Sequence, residues 1–312
     1  MNKNFAPLTA VLANGKLTCE IALKGAELRS LRDIASNEEF IWQRDPAFWA
    51  ASAPILFPVI GRFKDGGYLL DGRFHEIPKH GFVRELDFSL VASTEAAATF
   101  RLTDSDETLG AYPYAFTLEV VFTLLERTLA VDYRVVNRND RMMFFALGSH
   151  PAFNLPAKLG PLEDWSIQFE TVEEPVCYRV AENLLSSAPE VFEFAAGNSI
   201  ALTGDTFARD ALIFKRLRSR SLQIVHREHG VRLRFDTGGA PTLGIWAKPG
   251  APYVCLEPWH GFDDSSENNA DLRQKPDMLR LAAGETFTTG YRIAPHRQSV
   301  WCGQSRNRGA KA

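Results

Sequence analysis

The stretch F-T-L-E-V-V-F-T-L-L-E-R-T-L-A-V-D-Y-R-V (residues 116–135) decides the fold class. Every even position from Phe116 to Leu124 is apolar, and so is every odd position from Leu129 to Val135. Successive side chains of a strand point to opposite faces, so this period of two predicts two strands that each bury one face. Glu126-Arg127 lies between them as the turn. The stretch therefore predicts an antiparallel hairpin.

Similar short strands are expected on both sides of this hairpin. Alternating or apolar runs occupy residues 17–22, 28–31, 222–225, 231–235 and 287–293, and Asn14-Gly15 is a hairpin turn signal. No long amphipathic helical pattern occurs in the chain. The sequence therefore predicts an all-β fold, a large antiparallel β-sandwich. No low-complexity linker interrupts it, so we expect one domain over residues 1–296 and a loose, polar and basic tail over residues 297–312.

The composition is that of an ordinary soluble protein. The 312 residues are 45% hydrophobic and 23% charged with a formal net charge of −3, which gives no electrostatic reason to expect nucleic acid as a partner. No run of about eighteen apolar residues and no apolar signal segment is found, so we expect no membrane partner and a cytoplasmic location. The four cysteines form no C-x-x-C pair and are expected to be reduced thiols.

The stretch Y-V-C-L-E-P-W-H-G-F-D-D (residues 253–264) places a carboxylate at the end of an apolar run. Residues 253–256 predict a short buried strand, which Pro258 is expected to end because proline lacks a backbone donor. Glu257 would then be buried at the strand end, where a carboxylate is costly unless it is hydrogen-bonded or used. Two interpretations remain open: a catalytic group, or a structural Glu that caps a loop or pairs with an Arg.

Two histidines lie in comparable positions. His150 follows an apolar strand and precedes Pro151, so its ring leaves the strand at a rigid corner, where it can exchange a proton near neutral pH or hold a loop carbonyl. His80, in K-H-G-F-V-R, precedes a glycine that allows a close backbone approach to a ligand. Its alternative role is to fix the loop.

Other polar residues have functional and structural interpretations side by side. Arg62 can hold a hydroxyl or carboxylate group or form an ion pair, and Asp210 can bind hydroxyls or cap a turn. His226 and His229 have a metal-like H-x-x-H spacing, but they lie in a predicted hairpin turn, and no metal is expected. His260 can line the region of Glu257 or shield it. Trp259, with Trp49 and Trp246, offers an aromatic face suited to a sugar ring.

Several signatures are absent from the sequence. It contains no Walker A motif, no G-x-G-x-x-G, no G-x-S-x-G and no H-E-x-x-H, so nucleotide-binding, dinucleotide-binding, serine-hydrolase and zincin functions lack their motifs. Acid/base catalysis by side chains, without a cofactor, is the chemistry that these absences leave open.

Taken together, the motifs resemble those of the aldose 1-epimerase (galactose mutarotase-like) family, and in particular its LacX-type branch. The resemblance covers residues 10–295, and the most specific motifs are G-S-H-P-A-F-N (148–154) and C-L-E-P-W-H-G (255–261). Supporting motifs are G-A-E-L-R-S-L (25–31), F-W-A-A-S-A-P-I-L-F-P-V-I-G-R (48–62), K-H-G-F-V-R (79–84), D-A-L-I-F (210–214) and L-G-I-W (243–246). The resemblance implies a β-sandwich with a shallow cleft that interconverts the α and β anomers of a monosaccharide without a cofactor.

The resemblance also assigns roles. His150 would protonate the ring oxygen, Glu257 would take the proton from the C1 hydroxyl, and His80 would orient the sugar. Arg62 and Asp210 would hold hydroxyl groups. The loop of His80 has Phe82 where the galactose enzymes commonly have a second glycine.

The acid and base roles set a requirement on the two pKa values. A Glu side chain has an ordinary pKa of about 4.3 and a His side chain one of about 6.5, so the Glu is ionised and the His is protonated at the same time only below neutral pH. The pKa of His150 is therefore expected to be raised by a nearby carboxylate. Two alternatives stay open. A hexose-6-phosphate 1-epimerase needs additional cations at the cleft, for which Arg62, Lys64 and Arg84 are candidates, whereas a carbohydrate-binding protein needs no proton-transfer pair.

Overall fold

The structure is a computed structural model that describes residues 9–296. The expected tail, residues 297–312, lies outside the described residues. The strands of the first third are β1 (Thr9–Ala13), β2 (Leu17–Ala22), β3 (Leu28–Asp33), β4 (Ile55–Leu56), β5 (Gly67–Leu70), β6 (Arg73–Glu76), β7 (Ser89–Ser93) and β8 (Ala97–Thr103). The helix α1 (Asp106–Ala111) follows β8.

The remaining strands form the rest of the sheets. The central ones are β9 (Phe116–Leu125), β10 (Thr128–Asn137), β11 (Met143–Phe145), β12 (Leu147–Ser149), β13 (Ala152–Asn154), β14 (Trp165–Phe169), β15 (Val176–Cys177), β16 (Val180–Ala181), β17 (Leu184–Leu185), β18 (Glu190–Val191) and β19 (Ser199–Ala201). The last ones are β20 (Leu212–Lys215), β21 (Ser221–His226), β22 (Gly230–Asp236), β23 (Thr242–Trp246), β24 (Tyr253–His260), β25 (Leu279–Leu281) and β26 (Thr286–Pro295). Short 3-10 helices span Lys64–Gly66, Val83–Glu85, Ala157–Leu159, Leu162–Asp164 and Leu272–Gln274.

The predicted hairpin forms the middle of a nine-stranded antiparallel sheet. Its strand order is β19-β14-β21-β22-β26-β10-β9-β8-β7. In β9 and β10 the apolar positions found from the sequence are buried, and Phe122 pairs with Val131 across the hairpin. The period of two therefore identified both strands and the face that each of them buries.

The second large sheet has six strands and carries the site described below. Its order is β20-β23-β24-β12-β4, and β13 also pairs with β24. The two sheets face each other across a shared apolar core. Phe153 of this sheet lies 5.6 Å, between ring centroids, from Phe235 of the other, and the Tyr133 hydroxyl lies 2.7 Å from Ser149 Oγ. The predicted antiparallel β-sandwich is thus confirmed.

The expectation that Pro258 ends the strand of Glu257 is wrong. β24 continues to His260, and Glu257 pairs with Gly244 in the middle of the strand. On the other side of β24, β12 and β13 are separated by His150 and Pro151, and Leu256 donates its N–H to Pro151 O. Alternate N–H groups of a strand point the same way, so the missing donor of Pro258 faces this interruption. A proline inside β24 is tolerated at this break in the neighbouring strand.

Among the described residues, no helix has the length and apolar character needed to cross a membrane. Three of the four cysteines lie in the described part of the chain, and Cys19, Cys177 and Cys255 are buried free thiols. This agrees with the expected reduced state of these three residues.

Candidate active site

A pocket of about 260 Å³ opens where the strand next to β24 is interrupted. We call it the inner pocket. It is lined by two histidines, three carboxylates, two cations and three tryptophans: His80, His150, Asp210, Glu257, Asp263, Lys79, Arg84, Trp49, Trp246 and Trp259. The sequence-predicted residues Glu257, His150, His80, Asp210 and Trp259 therefore meet here, although they come from four distant segments of the chain.

His150 and Glu257 are in direct contact. The interruption between β12 and β13 places His150 opposite the middle of β24, and Nε2 of His150 lies 3.2 Å from Oε2 of Glu257. Both side chains are largely removed from solvent, with 12% and 2% of their side-chain surface exposed. The two predicted proton-transfer groups are therefore neighbours.

Burial controls the protonation of this pair. It lowers the pKa of His150 from 6.5 to about 3 and raises the pKa of Glu257 well above 4.5. The expectation that the carboxylate raises the pKa of His150 is therefore wrong, because loss of solvation outweighs the attraction between the two groups. Burial therefore favours the neutral imidazole and the neutral carboxyl group.

His80 is held by the backbone of Gly61. Its Nδ1 accepts the N–H of Gly61 at 3.0 Å, so the hydrogen-bond network assigns the proton to Nε2. Burial lowers the pKa of His80 well below 6.5. The side chain is therefore a neutral donor that lines the inner pocket. The following residue, Gly81, brings its backbone against Phe57 and not against the pocket, since a Cβ there would lie 2.0 Å from Phe57 O.

Asp263 is a pocket carboxylate that the sequence analysis missed. It is 3% exposed, and its Oδ1 accepts the N–H of Arg62 at 3.0 Å. Burial raises its pKa from 3.8 to about 6. The sequence signal was the pair Asp263-Asp264, which follows the strand of Glu257 by only a few residues. The sequence alone did not show which of these two carboxylates lines the inner pocket.

The cations of the inner pocket are Lys79 and Arg84, whereas Arg62 is exposed and its side chain does not line the pocket. The expected sugar contact of the Arg62 guanidinium is therefore not supported. Arg84 Nη2 donates to Lys79 O at 3.1 Å, and its nearest carboxylate, on the exposed Glu85, lies 3.8 Å from Nε. Lys79 forms no ion pair within residues 9–296. Both cations keep donors free for a ligand.

Aromatic rings form the walls. The ring of His150 lies 4.8 Å from that of Trp49 and 5.8 Å from that of Trp246, measured between centroids. Trp259 is 2% exposed, and its ring packs against glycines of the two neighbouring strands. A Cβ at Gly148 or Gly244 would lie 2.7 or 2.8 Å from atoms of its ring. These two glycines of the G-S-H and L-G-I-W motifs therefore make room for Trp259.

The remaining candidates lie in different surroundings. Asp210 is exposed, lines the pocket, and accepts the N–H of Ala211 at 2.8 Å. His260 lies outside the inner pocket and contacts Thr289 Oγ1 at 2.8 Å. His226 is buried, not solvated as a turn residue would be, and its Nδ1 accepts the N–H groups of Glu228 and His229. It thus stabilises the turn.

Three possible metal ligands also meet at the inner pocket. Donor atoms of His150, Cys255 and Glu257 all lie within 4.8 Å of one another. Burial raises the pKa of the Cys255 thiol well above 9.0, which opposes the thiolate that a metal would require. The expected absence of a metal remains a prediction, and a metal in this place would occupy both proton-transfer groups.

A family model described as aldose 1-epimerase matches residues 9–293. The chain belongs to the aldose 1-epimerase family. Its relatives include "Protein LacX, chromosomal" of Lactococcus lactis subsp. lactis, which is 33% identical over 296 residues, 92% of this chain and 99% of that protein. The resemblance stated from the motifs is confirmed.

Solved structures of aldose 1-epimerase relatives have the same fold. The galactose mutarotase related enzyme from Lactobacillus acidophilus is 32% identical, with a TM-score of 0.89 and coverage of 94% of this chain and 98% of that chain. A shorter match, 29% identical over 132 residues, covers 39% of this chain and 41% of an Escherichia coli (strain K12) protein named "Putative glucose-6-phosphate 1-epimerase".

Proposed function

We propose that the protein is a cofactor-independent aldose 1-epimerase that interconverts the α and β anomers of a free aldose in the inner pocket. The observation that carries this proposal is the buried contact of 3.2 Å between His150 Nε2 and Glu257 Oε2 inside a pocket walled by tryptophans. Opening a hemiacetal requires one group that removes the C1 hydroxyl proton and another that protonates the ring oxygen. One proton shared by two adjacent groups meets that requirement.

The substrate determines which of the two groups carries the proton. A ring oxygen can only accept a hydrogen bond, so the group beside it must carry the proton, whereas the C1 hydroxyl donates and favours an ionised carboxylate. With His150 at the ring oxygen and Glu257 at the C1 hydroxyl, binding moves the shared proton from the carboxyl group to the imidazole. Ring opening then transfers it onward, and closure on the other face reverses the roles. Each positioned group contributes about 10²- to 10⁴-fold to such a reaction.

The other polar side chains suit the hydroxyl groups of a sugar. His80 offers an Nε2 proton, while Asp210 and Asp263 offer carboxylate oxygens that line the pocket. Trp49 and Trp246 provide apolar faces for the sugar ring. Binding in this mode uses His80, Asp210 and Asp263 to orient C1 toward Glu257.

A second candidate function, a hexose-6-phosphate 1-epimerase, is favoured by one specific observation. Lys79 and Arg84 line the inner pocket without a close carboxylate partner, and two such cations suit a phosphate group. The segmental similarity to the E. coli protein points the same way. Asp263 opposes it, because its carboxylate, which is ionised above about pH 6, repels an anionic substrate and gains from the charge of Lys79.

The test is anomer exchange measured by NMR on glucose, galactose and their 6-phosphates, with the purified protein and with Lys79→Met. We expect faster exchange of a free aldose than in buffer, and a Lys79→Met protein that retains it. A Lys64→Met protein, altered at an exposed lysine of a neighbouring loop, is the matched control.

Three other results would change the conclusion. Exchange confined to the phosphates and lost in Lys79→Met would favour the hexose-6-phosphate 1-epimerase. Saturable binding of sugar without faster exchange would identify a carbohydrate-binding protein. An absence of both binding and exchange would contradict the proposed function.

A further inference from the structure

The imidazole of His150 is surrounded by aromatic rings. Its Nε2 faces Glu257, whereas its Nδ1 is buried and has no hydrogen-bond partner on another residue within the described part of the chain. The backbone of His150 is fixed, because its N–H donates to Pro54 O at 3.1 Å. A hydrogen bond to the second ring nitrogen commonly sets the orientation of a functional histidine. For His150, packing has to set that orientation.

Three rings contact this imidazole, and only one of these three covers its face. The ring of Trp49 lies 4.8 Å away, between centroids, with an angle of 34° between the two planes. Trp246 and His80 lie 5.8 and 6.0 Å away at 84° and 85°, so their contacts are edge-on. The χ2 torsion of a histidine has only broad preferences of its own. The indole face of Trp49 is therefore the contact that defines the plane of the imidazole.

Trp49 is anchored through its backbone, on the side of the chain away from the imidazole contact. Its N–H donates to Asp45 O at 2.9 Å, and its carbonyl oxygen accepts Trp42 Nε1 at 2.8 Å. Lys248 Nζ donates to Ala47 O at 3.1 Å and also holds this turn. The indole thus offers His150 a surface that is fixed by groups outside the proton-transfer pair.

The indole face also favours a positive charge on His150. The face of a tryptophan ring carries a negative partial charge and attracts a cation that lies within about 6 Å of it. Burial and the cations Lys79 and Arg84 have the opposite effect, since they lower the pKa of His150. The proposed reaction places a proton on this imidazole, so the contact with Trp49 acts in the direction that the reaction needs.

We propose that Trp49 is the positioning residue of His150: its indole face fixes the imidazole plane so that Nε2 points at Glu257, and it stabilises the imidazolium formed during ring opening. The catalytic part of this inference rests on the proposed function, whereas the orientation of the ring concerns the protein alone. This role is separate from the contribution of Trp49 to the pocket wall. A wall contact changes KM, whereas the position of the acid changes kcat.

The kinetic experiment compares Trp49→Leu with Trp49→Phe. Both variants replace the indole by a smaller apolar side chain, but only phenylalanine keeps a ring face. Polarimetry on a freshly dissolved single anomer of the aldose gives kcat and KM. We expect Trp49→Leu to lower kcat by about tenfold and to change KM by less than about threefold, while Trp49→Phe keeps kcat within about threefold of the parent. Equal losses of kcat in the two variants, or an effect confined to KM, would overturn the positioning role.

Crystal structures of the two variants test the orientation without relying on activity. In Trp49→Leu we expect the imidazole to rotate and the distance from His150 Nε2 to Glu257 Oε2 to exceed about 3.5 Å, whereas Trp49→Phe should keep the contact. Trp49→Met is the second non-aromatic variant if Trp49→Leu does not fold. An unchanged contact in the non-aromatic variant would overturn the inference and leave the proposed function intact. A parent protein that exchanges no anomers would contradict the proposed function, whereas a rotated ring in the non-aromatic variant would still support the orienting role.

Discussion

At the scale of single residues, the central feature is a carboxyl group and an imidazole in buried contact. Loss of solvation moves the two pKa values in opposite directions, so the empty pocket favours a neutral pair. The ionic form, with an ionised Glu257 and a protonated His150, has the same total number of protons as the neutral form. Only the position of one proton differs. A substrate that donates to Glu257 and accepts from His150 favours the ionic form, and this shift sets up the first proton transfer.

Asp263 gives a pH-dependent prediction. Its pKa in the folded protein is about 6 and its ordinary value is 3.8, so its contribution to stability is complete below about pH 4 and is lost as the pH rises through 6. Asp263→Asn keeps an oxygen for the Arg62 N–H and cannot ionise. Relative to the parent, the free energy of unfolding of this variant should rise by about 3 kcal/mol between pH 4 and pH 8.

Urea unfolding at several pH values measures this difference. The surface variant Asp87→Asn is the control and should run parallel to the parent. A difference between Asp263→Asn and the parent that stays constant from pH 4 to pH 8 would refute the burial argument. The same variant should also raise KM for the aldose, because one hydroxyl partner becomes an amide.

Metal removal tests the three donors at His150, Cys255 and Glu257. Because His150 and Glu257 already contact each other directly, we expect dialysis against a chelator to leave the anomer-exchange rate unchanged. Metal analysis of the purified protein by mass spectrometry serves as the control. Loss of activity on chelation with recovery on adding zinc would show that the pair acts as metal ligands.

Sequence reasoning found the residues that a short motif contains and missed those that folding brings from elsewhere. Glu257, His150 and His80 each lie in a motif of apolar residues with one titratable group. Lys79, next to His80, was missed because a loop cation is usually solvated, whereas Arg84 was among the cations expected at the cleft and does line the inner pocket. The sugar contact of Arg62 stays a prediction, since its backbone N–H binds Asp263 while its side chain is exposed.

At the scale of elements, the loop around Gly61 joins the two sides of the site. Gly61 has φ +66°, donates to His80 Nδ1, and packs so closely on Asp263 that an added Cβ would lie 1.1 Å from Oδ1. One residue thus fixes both a pocket histidine and a pocket carboxylate. A side chain there must displace Asp263.

Gly61→Ala should therefore lower both stability and activity. The left-handed backbone alone costs about 1 to 2 kcal/mol for a residue with a Cβ. Gly15→Ala is the matched control, because Gly15 has φ +79° with no atom within 4 Å of the added Cβ. We expect Gly61→Ala to unfold at lower urea than Gly15→Ala and to lose anomer-exchange activity that Gly15→Ala keeps. Equal effects would show that the contact with Asp263 has no consequence.

Element prediction succeeded where the signal is local. The alternation of β9 and β10 depends only on which face meets the core, and both strands could be read from their own residues. The end of β24 could not, because the effect of Pro258 depends on the interruption between β12 and β13 in the neighbouring strand. The position of a partner strand is not contained in the strand itself.

At the scale of the whole molecule, a buried ion pair fixes the segment that follows β24. Lys275 Nζ contacts Asp264 Oδ2, and their side chains are 3% and 0% exposed. Asp264 also accepts the N–H of Lys64 at 3.0 Å, so the same carboxylate holds the loop of Gly61. This network fixes the wall of the inner pocket that carries Asp263.

Lys275→Met should be strongly destabilising, because it leaves a buried carboxylate without its partner. Such changes cost about 3 to 5 kcal/mol. The control is Arg227→Met, which removes a surface ion pair with Asp164 and should cost less than about 1 kcal/mol. Chemical unfolding of both proteins measures the contrast. Similar midpoints for the two variants would contradict a structural role for the buried pair.

The sandwich could be predicted from the sequence, but its strand order could not. Short alternating strands without long helices leave few other architectures. The order depends on pairings such as Val135 with Phe287, which join segments far apart in the chain and have no local signal. The meeting of His150 with Glu257 is a consequence of that order.

The most direct test of the account is the anomer-exchange rate of Glu257→Gln, measured by NMR on the aldose that the parent turns over. Glutamine keeps the shape of the side chain and cannot take the C1 hydroxyl proton. We predict a fall in kcat of about 10²- to 10⁴-fold, with Glu76→Gln, at an exposed position of β6, as active as the parent. A folded Glu257→Gln protein that exchanges anomers as fast as the parent would contradict the account.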